Sequence, residues 1–262
     1  MKCKKIMAVL EHLAPKMYAE SWDNVGLLIG DVEKKVERIM IAVDASDLVV
    51  EEAVSKQADM LITHHPMIFS GLKSIRKDDF IGRRVIQIIK EDIAYYAFHT
   101  NFDIAGGMAE LAANKLGLIN TKVLEKTTEI QGEEAGIGRI GYLNNQMNVK
   151  DLSAYVKECF GLDSITVYGD LDSMVSEVAI SPGSGKREID FAVKEGVQVL
   201  ITGDIGHHEG MDANAKGIVI LDAGHFGLEK IFSGFLKEYL KENLLEEIEI
   251  MVAKERNPFL IL

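Results

Sequence analysis

Six of the seven histidines lie in four short loops, and each loop follows an apolar run that predicts a buried strand. Open α/β sheets hold their ligands at the carboxyl ends of such strands. Aspartate or glutamate accompanies the histidines in most of these loops, a combination that suits divalent transition metals. A single histidine in such a loop is as often a hydrogen-bonded structural residue as a metal ligand. Four loops with the same placement favour a metal site. The loops are residues 63–66, 99–103, 202–209 and 222–229.

Spacing within the loops indicates how metal ions would be shared. Adjacent side chains such as His64 and His65 cannot easily point at one ion, so they would serve two ions, or one ion and its surroundings. His225 and Glu229 are four residues apart, and they share one face if the last helix starts at the preceding glycine. Asp103 and Glu229 are natural bridging carboxylates between two cations. The sequence therefore predicts a two-metal-ion site formed by His64, His65, Asp103, His225 and Glu229.

Segment 181–186 (SPGSGK) has the composition of a phosphate-binding loop but departs from its pattern. Ile180 stands where the first glycine belongs, and Arg187 replaces the serine or threonine. We interpret the segment as a tight strand-to-helix turn, whose backbone N–H groups could still face an anion.

Trp22 is the only tryptophan and lies in the segment 21–28 (SWDNVGLL). A turn at Asp23 and Asn24 would make it an anchor in the core or at an interface. Alternatively, this segment could line the mouth of a ligand site. We expect a structural role with some contact to the site.

Strands and helices alternate through the first half of the chain, which predicts a parallel sheet covered by helices on both faces. The same order returns in the second half, where a histidine-bearing loop again follows each of the last two strands. This recurrence indicates an internal duplication of a βαβ unit. Strands 41–43, 60–63 and 95–98 match 178–180, 199–202 and 218–221.

The middle of the chain has a different character, because residues 131–141 carry four glycines and predict loops and short antiparallel strands. We predict two pseudo-repeated α/β lobes with mostly parallel sheets covered by helices. Residues 1–123 form the first lobe and 124–262 the second, with the metal site between them. The C-terminal strand, 248–253, could return to the first lobe.

Composition bounds the location and the partners. No apolar run is long enough to span a bilayer, and the N-terminal stretch lacks the apolar core of a signal peptide, so we expect a cytoplasmic protein. The formal net charge of −12 argues against nucleic acid as the main partner. Cys3 and Cys159 are far apart and have no partner motif, so we interpret them as ordinary thiols.

Taken together, these motifs resemble the GTP cyclohydrolase 1 type 2 homologue family, also called the Nif-three-like dinuclear metal-centre proteins. The resemblance implies that the five predicted donors ligate two divalent ions per subunit. It also implies a ring-like homohexamer whose metal sites face an inner cavity. His208 matches the histidine of the family's TGDxxxH block. The matching segments are 21–30, 63–69, 98–103, 202–213 and 222–229.

The expected function is that of a metal-dependent hydrolase. Two ions about 4 Å apart can activate a water molecule and polarise an electrophile, here a phosphoester or carbon–nitrogen bond of a nucleotide-like substrate. His99 or His208 would then shuttle the proton. Zinc, iron, manganese and cobalt fit the donors about equally. The alternative is a non-catalytic hexameric scaffold, metal-handling protein or regulator; nucleic-acid binding within the ring is disfavoured by the negative charge.

Overall fold

The computed structural model describes residues 1–105 and 107–261, and these form two compact units. One unit comprises Met1–Ala105 with Phe232–Arg256, and the other comprises Gly106–Ile231 with Asn257–Leu262. The strands are β1 (Gly26–Ile29), β2 (Arg38–Ala42), β3 (Met60–Thr63), β4 (Ala94–Ala97), β5 (Ile119–Ile130), β6 (Glu133–Asn148), β7 (Thr166–Tyr168), β8 (Met174–Ser184), β9 (Val199–Gly203), β10 (Val219–Asp222) and β11 (Glu249–Val252).

Helices connect most of these strands, and a 3₁₀ turn at Lys16–Tyr18 follows the first helix. Within the described chain, no helix combines the length and apolar character needed to cross a membrane. The α-helices are α1 (Cys3–Leu13), α2 (Asp47–Ser55), α3 (Phe80–Lys90), α4 (Thr100–Ile104), α5 (Met108–Lys115), α6 (Val149–Phe160), α7 (Glu188–Lys194), α8 (His207–Ala215), α9 (His225–Glu229) and α10 (Ile231–Asn243).

The sheet of the first unit has the strand order β1-β4-β3-β2-β11. Only β1 runs antiparallel to its neighbour; the other pairs are parallel. Strands β3 and β4 are buried along their whole length, as expected for parallel strands covered on both faces. Ser46 caps α2 by accepting a hydrogen bond from the backbone N–H of Val49, 3.3 Å away.

The sheet of the second unit has the order β5-β6-β8-β9-β10-β7, with a parallel centre and antiparallel edges. Successive residues of β8 point to opposite faces: Val178 and Ile180 enter one core, and Ala179 enters the other. Helices α5 and α6 contribute to the first core, and α7 and α8 to the second. The predicted fold class is confirmed, although this second sheet is mixed rather than mostly parallel.

Strand order supports the predicted duplication. In the first unit, parallel strands β2, β3 and β4 end against an antiparallel edge strand, β1. In the second unit, β8, β9 and β10 end against the antiparallel β7 in the same way. The two units therefore share a core of three parallel strands and one reversed edge strand.

The antiparallel pairing expected over 131–141 is confirmed, but the expected loops and short strands are wrong, because β5 and β6 form one long pair. Its turn uses Gln131 and Gly132, both with positive φ. Gly136 lies inside β6, where an added Cβ would come within 1.9 Å of the carbonyl oxygen of Glu125. Glycine is required there by close backbone approach and does not mark a loop.

The predicted lobe boundary between residues 123 and 124 falls inside β5. The chain instead passes from the first compact unit to the second after Ala105, and it returns to the first between Ile231 and Phe232. Strand β11 pairs in parallel with β2, so the C-terminal strand lies in the sheet of the first unit. A further change of unit follows Arg256, and none of these three points lies in the glycine-rich segment 131–141.

Candidate metal centre

The first unit gathers three histidines and one carboxylate at the carboxyl ends of β3 and β4. These strands are parallel neighbours, with Thr63 opposite Ala97, so the residues that follow them come side by side. His64 is fully buried, and its Nε2 lies 3.6 Å from Oδ1 of Asp103, on α4. The ring centroids of His64, His65 and His99 lie 4.9 to 5.6 Å from one another.

Two of these rings are oriented by carboxylates. Nδ1 of His65 lies 2.8 Å from Oδ1 of Asp44, and Nδ1 of His99 lies 2.8 Å from Oδ1 of Asp23. A carboxylate on Nδ1 fixes the ring, makes the imidazole more basic and leaves Nε2 for a metal ion or substrate. Burial favours the neutral acid in Asp23, but hydrogen bonds from His99 and Thr100 outweigh it and lower the pKa of the carboxyl group. Asp23 therefore stays ionised.

The buried hydroxyl of Tyr95 anchors the loop that carries His64 and His65. It lies 2.8 Å from Oγ1 of Thr63, accepts from the backbone N–H of Met67 at 2.7 Å, and donates to the carbonyl oxygen of His65 at 3.2 Å. Burial raises the pKa of Tyr95 to about 12, so the hydroxyl keeps its proton at physiological pH.

Replacing Tyr95 with phenylalanine is expected to lower the free energy of unfolding by about 1.5 kcal/mol, because a buried backbone N–H loses its acceptor. Urea denaturation of the metal-free protein measures the change. Tyr239→Phe, at a half-buried position on α10, is the control. Equal stabilities of the two variants would show that the hydroxyl does not anchor the loop.

The second unit places the other two predicted donors on one short helix. Gly224 is the N-cap of α9, a short helix that precedes the last helix, α10. Nε2 of His225 lies 3.1 Å from Oε2 of Glu229, so the two residues do share a helix face. Nδ1 of His225 lies 2.8 Å from Oδ2 of Asp204, which repeats the carboxylate–histidine arrangement of the first unit.

Two glycines allow the backbone to pass close to these donors. Gly183 has φ +83°, and an added Cβ would lie 2.8 Å from Oε1 of Glu229. At Gly203 an added Cβ would lie 2.4 Å from the backbone nitrogen of His225. The predicted turn over 181–186 is wrong for its first four residues, because residues 181–184 continue β8 and only residues 185–187 connect that strand to α7. The glycine of this strand end, Gly183, packs directly against a donor.

The donor spacings suit a divalent ion. Two ligand atoms bound to one tetrahedral ion at about 2.1 Å lie about 3.4 Å apart. The pair from His64 and Asp103 is 3.6 Å apart, and the pair from His225 and Glu229 is 3.1 Å apart. Imidazole and carboxylate groups at this spacing are chemically suited to hold a cation, and one member of each pair, His64 or Glu229, is buried. Each unit therefore carries a donor pair that fits a metal ion.

His208 differs from the other predicted site residues. It is exposed on the first turn of α8, where its ring centroid lies 5.2 Å from that of His207. The residue follows β9 as expected, and its proposed role in proton transfer stays a prediction.

Sequence reasoning missed Asp23, Asp44 and Asp204 as partners of the histidines. A signal for two of them existed, because Asp204 directly follows β9 and Asp44 lies two residues after β2. Each of these strands is the parallel neighbour of the strand that precedes the partnered histidine. A carboxylate at the end of an adjacent parallel strand is therefore a residue to test for this role.

Two known proteins are similar to this chain over most of its length. A GTP cyclohydrolase 1 type 2 homolog from Clostridium perfringens is 36% identical over 261 residues, covering 99% of each chain. A protein of the same name from Clostridium acetobutylicum is 39% identical over 230 residues, covering 87% of this chain and 85% of its own.

A solved structure and a family model identify the family to which the chain belongs. The crystal structure of a Bacillus cereus protein related to NIF3 superposes with a TM-score of 0.95 at 27% identity, covering 100% of this chain and 99% of its own. The model of the family Duf34/NIF3 (NGG1p interacting factor 3) matches residues 1–258. Because that match spans almost the whole chain, this protein belongs to the Duf34/NIF3 family.

Proposed function

We propose that this protein binds two divalent metal ions per subunit and uses them to hydrolyse a nucleotide-like or phosphoester substrate. The donor pairs described above are the observation that carries the proposal. The first unit offers His64, His65 and Asp103, and the second offers His225 and Glu229. The proposal assigns these five donors to the two ions. Zinc, iron, manganese and cobalt are the candidate ions.

When bound, such ions polarise an electrophile and make a water molecule more acidic. The chain's own contribution to proton transfer is assigned to His99. Its side chain is partly exposed, and the ionised Asp23 holds its Nδ1, so Nε2 is left to accept and return a proton. His208, exposed on α8, is the second candidate for this role. The name shared by the relatives points to a purine nucleotide as the first substrate class to try.

The alternative is a non-catalytic metal-binding scaffold or regulator, and the burial of two donors favours it. His64 is 0% exposed and Glu229 is 3% exposed, so an ion bound to either side chain would be shielded from solvent and held permanently. Either role is proposed for a cytoplasmic, ring-like homohexamer. Sedimentation equilibrium of the purified protein tests the assembly.

Metal analysis followed by a turnover screen tests the proposal. Protein dialysed against Zn²⁺, Mn²⁺, Fe²⁺ or Co²⁺ should retain two ions per subunit, and Glu229→Gln should retain fewer. Glu238→Gln, which removes an exposed carboxylate from α10, is the matched control. Loaded protein is then screened against nucleotides and phosphoesters, with His99→Gln as the test variant and His12→Gln, at an exposed position on α1, as its control.

Each outcome separates the candidates. Turnover that disappears in His99→Gln and persists in His12→Gln supports the hydrolase. Two bound ions with no turnover on any substrate favour the scaffold. Protein that never retains divalent ions contradicts both.

A further inference from the structure

Two exposed aromatic side chains stand beside His99 in the first unit. Trp22 is 53% exposed and Phe69 is 55% exposed. Their ring centroids lie 5.5 Å apart, and they lie 5.9 Å and 6.3 Å, respectively, from the imidazole of His99. The expected contact of Trp22 with the site residues is thus found. The expected structural anchor is not, because half of the Trp22 side chain faces solvent.

The backbone that carries these rings is held in place on both sides. Nδ2 of Asn24 donates to the carbonyl oxygen of Ile68 at 2.6 Å, which ties the segment after Trp22 to the residue before Phe69. Asp23, next to Trp22, holds His99 and also accepts from the backbone N–H of Thr100 at 3.1 Å. One short segment therefore positions the tryptophan, the phenylalanine and the histidine together.

The surroundings of the two rings indicate what they would contact. His99 and His65 lie within 5.6 Å of each other, centroid to centroid, so polar ring nitrogens adjoin the aromatic surface. A planar ring with hydrogen-bonding edges satisfies such a surface better than an aliphatic group does, because it stacks on the aromatic faces and bonds to the polar groups. Stacking of a nucleobase on an aromatic side chain is worth about 1–3 kcal/mol per base.

We propose that Trp22 and Phe69 form a stacking platform for the planar heteroaromatic ring of a nucleobase-containing ligand. The platform would hold the base while the rest of the ligand reaches His99. This inference rests on the proposed function for the chemistry at His99, but the binding surface itself is made only of residues of the first unit. Trp22 and Phe69 would then determine specificity and would not take part in proton transfer.

The single tryptophan makes the platform directly observable, because all tryptophan emission comes from Trp22. Zinc-loaded and metal-free protein are titrated with GMP, AMP and ribose 5-phosphate, the last of which lacks a base. We expect saturable quenching by the nucleotides and at least tenfold weaker binding of ribose 5-phosphate. Phe69→Leu should weaken GMP binding about tenfold. Phe80→Leu, which changes another exposed phenylalanine of the same unit, should bind GMP as the unmodified protein does.

The results separate this inference from the proposed function. Equal affinities for GMP and ribose 5-phosphate, or an unchanged GMP affinity in Phe69→Leu, would overturn the platform even if two metal ions are bound. GMP quenching that depends on Phe69 in protein that retains no metal would support the platform and refute the dinuclear centre. Calorimetry of GMP binding to Trp22→Leu completes the test, since that variant should lose at least tenfold in affinity.

Discussion

Replacing Gly203 with alanine should lower the free energy of unfolding by about 3 kcal/mol, because the new methyl group overpacks a buried position. Its Cβ would lie 2.4 Å from the backbone nitrogen of His225 and 2.7 Å from the carbonyl carbon of Gly224. Backbone atoms cannot rotate away as a flexible side chain can, so the start of α9 must shift. That shift would carry His225 and Glu229 with it, and we expect divalent-metal affinity to fall by about tenfold or more.

Urea denaturation of the metal-free protein measures the first effect, and calorimetric titration with Zn²⁺ measures the second. Gly234→Ala is the matched control, because Gly234 lies in α10 with open space around the added Cβ. Alanine is the better helix former, so this control should keep or gain stability. A Gly203→Ala protein that equals the control in both measurements would show that α9 does not depend on the close approach of β9.

The grouping of the candidate metal donors within each unit could be predicted because two independent signals coincide at these residues. Residue chemistry selects histidines and carboxylates, and parallel strands bring the residues that follow them to one edge of a sheet. His64, His65 and Asp103 come together in the first unit for this reason, and His225 and Glu229 in the second. The same reasoning could not define the compact units, whose exchange points lie near α4 and at the start of α10, far from the glycine-rich segment.

The role of Asp23 could not be predicted because it depends on an antiparallel pairing. Strand β1 begins where β4 ends, with Gly26 opposite Ala97. A residue just before β1 therefore lies beside a residue just after β4, and Asp23 meets His99. No local pattern in the sequence specifies which strand will occupy that edge of the sheet, so the register had to come from the structure.

In both units a carboxylate contacts Nδ1 of a histidine. The strands that precede these two residues are shifted by one position between the duplicated sheets. In the first unit Asp44 follows β2, and His65 follows β3. In the second unit Asp204 follows β9 and His225 follows β10, although β9 corresponds to β3. Each strand end of the duplicated sheet thus offers an equivalent position for such a side chain. The two units place their carboxylate and histidine pairs at different strand ends.

Glu255 connects the C-terminal segment of the first unit to this arrangement. Its carboxylate accepts hydrogen bonds from the backbone N–H groups of Val43 at 2.7 Å and Asp44 at 2.9 Å, and Asp44 in turn holds His65. Burial, together with the negative charge of Asp44, raises the pKa of Glu255 from its ordinary value of 4.5 to about 6, although the backbone hydrogen bonds oppose this. The folded protein therefore binds the Glu255 proton more tightly than the unfolded chain does.

The contribution of Glu255 to the free energy of unfolding of the metal-free protein should consequently decrease as the pH rises from 4.5 to 6. Over this range the unfolded chain has released the proton that the folded state still holds, and the loss attributable to Glu255 is about 2 kcal/mol. Below pH 4.5 both states are protonated, and above pH 6 both are ionised, so the contribution is constant outside the window. Glu255→Gln cannot titrate, and its stability relative to the unmodified protein should rise by that amount across the window.

Urea unfolding at half-unit pH steps, with EDTA present throughout, isolates this contribution from the histidines that both proteins share. Glu238→Gln, the exposed carboxylate variant on α10, shows how the curve responds when a solvated acid is removed. If the difference between Glu255→Gln and the unmodified protein stays flat from pH 4 to 7, the folded protein binds the Glu255 proton no more tightly than the unfolded chain does. The two backbone hydrogen bonds, which favour the ionised carboxylate, would then offset the effect of burial completely, and the raised pKa of Glu255 would be refuted.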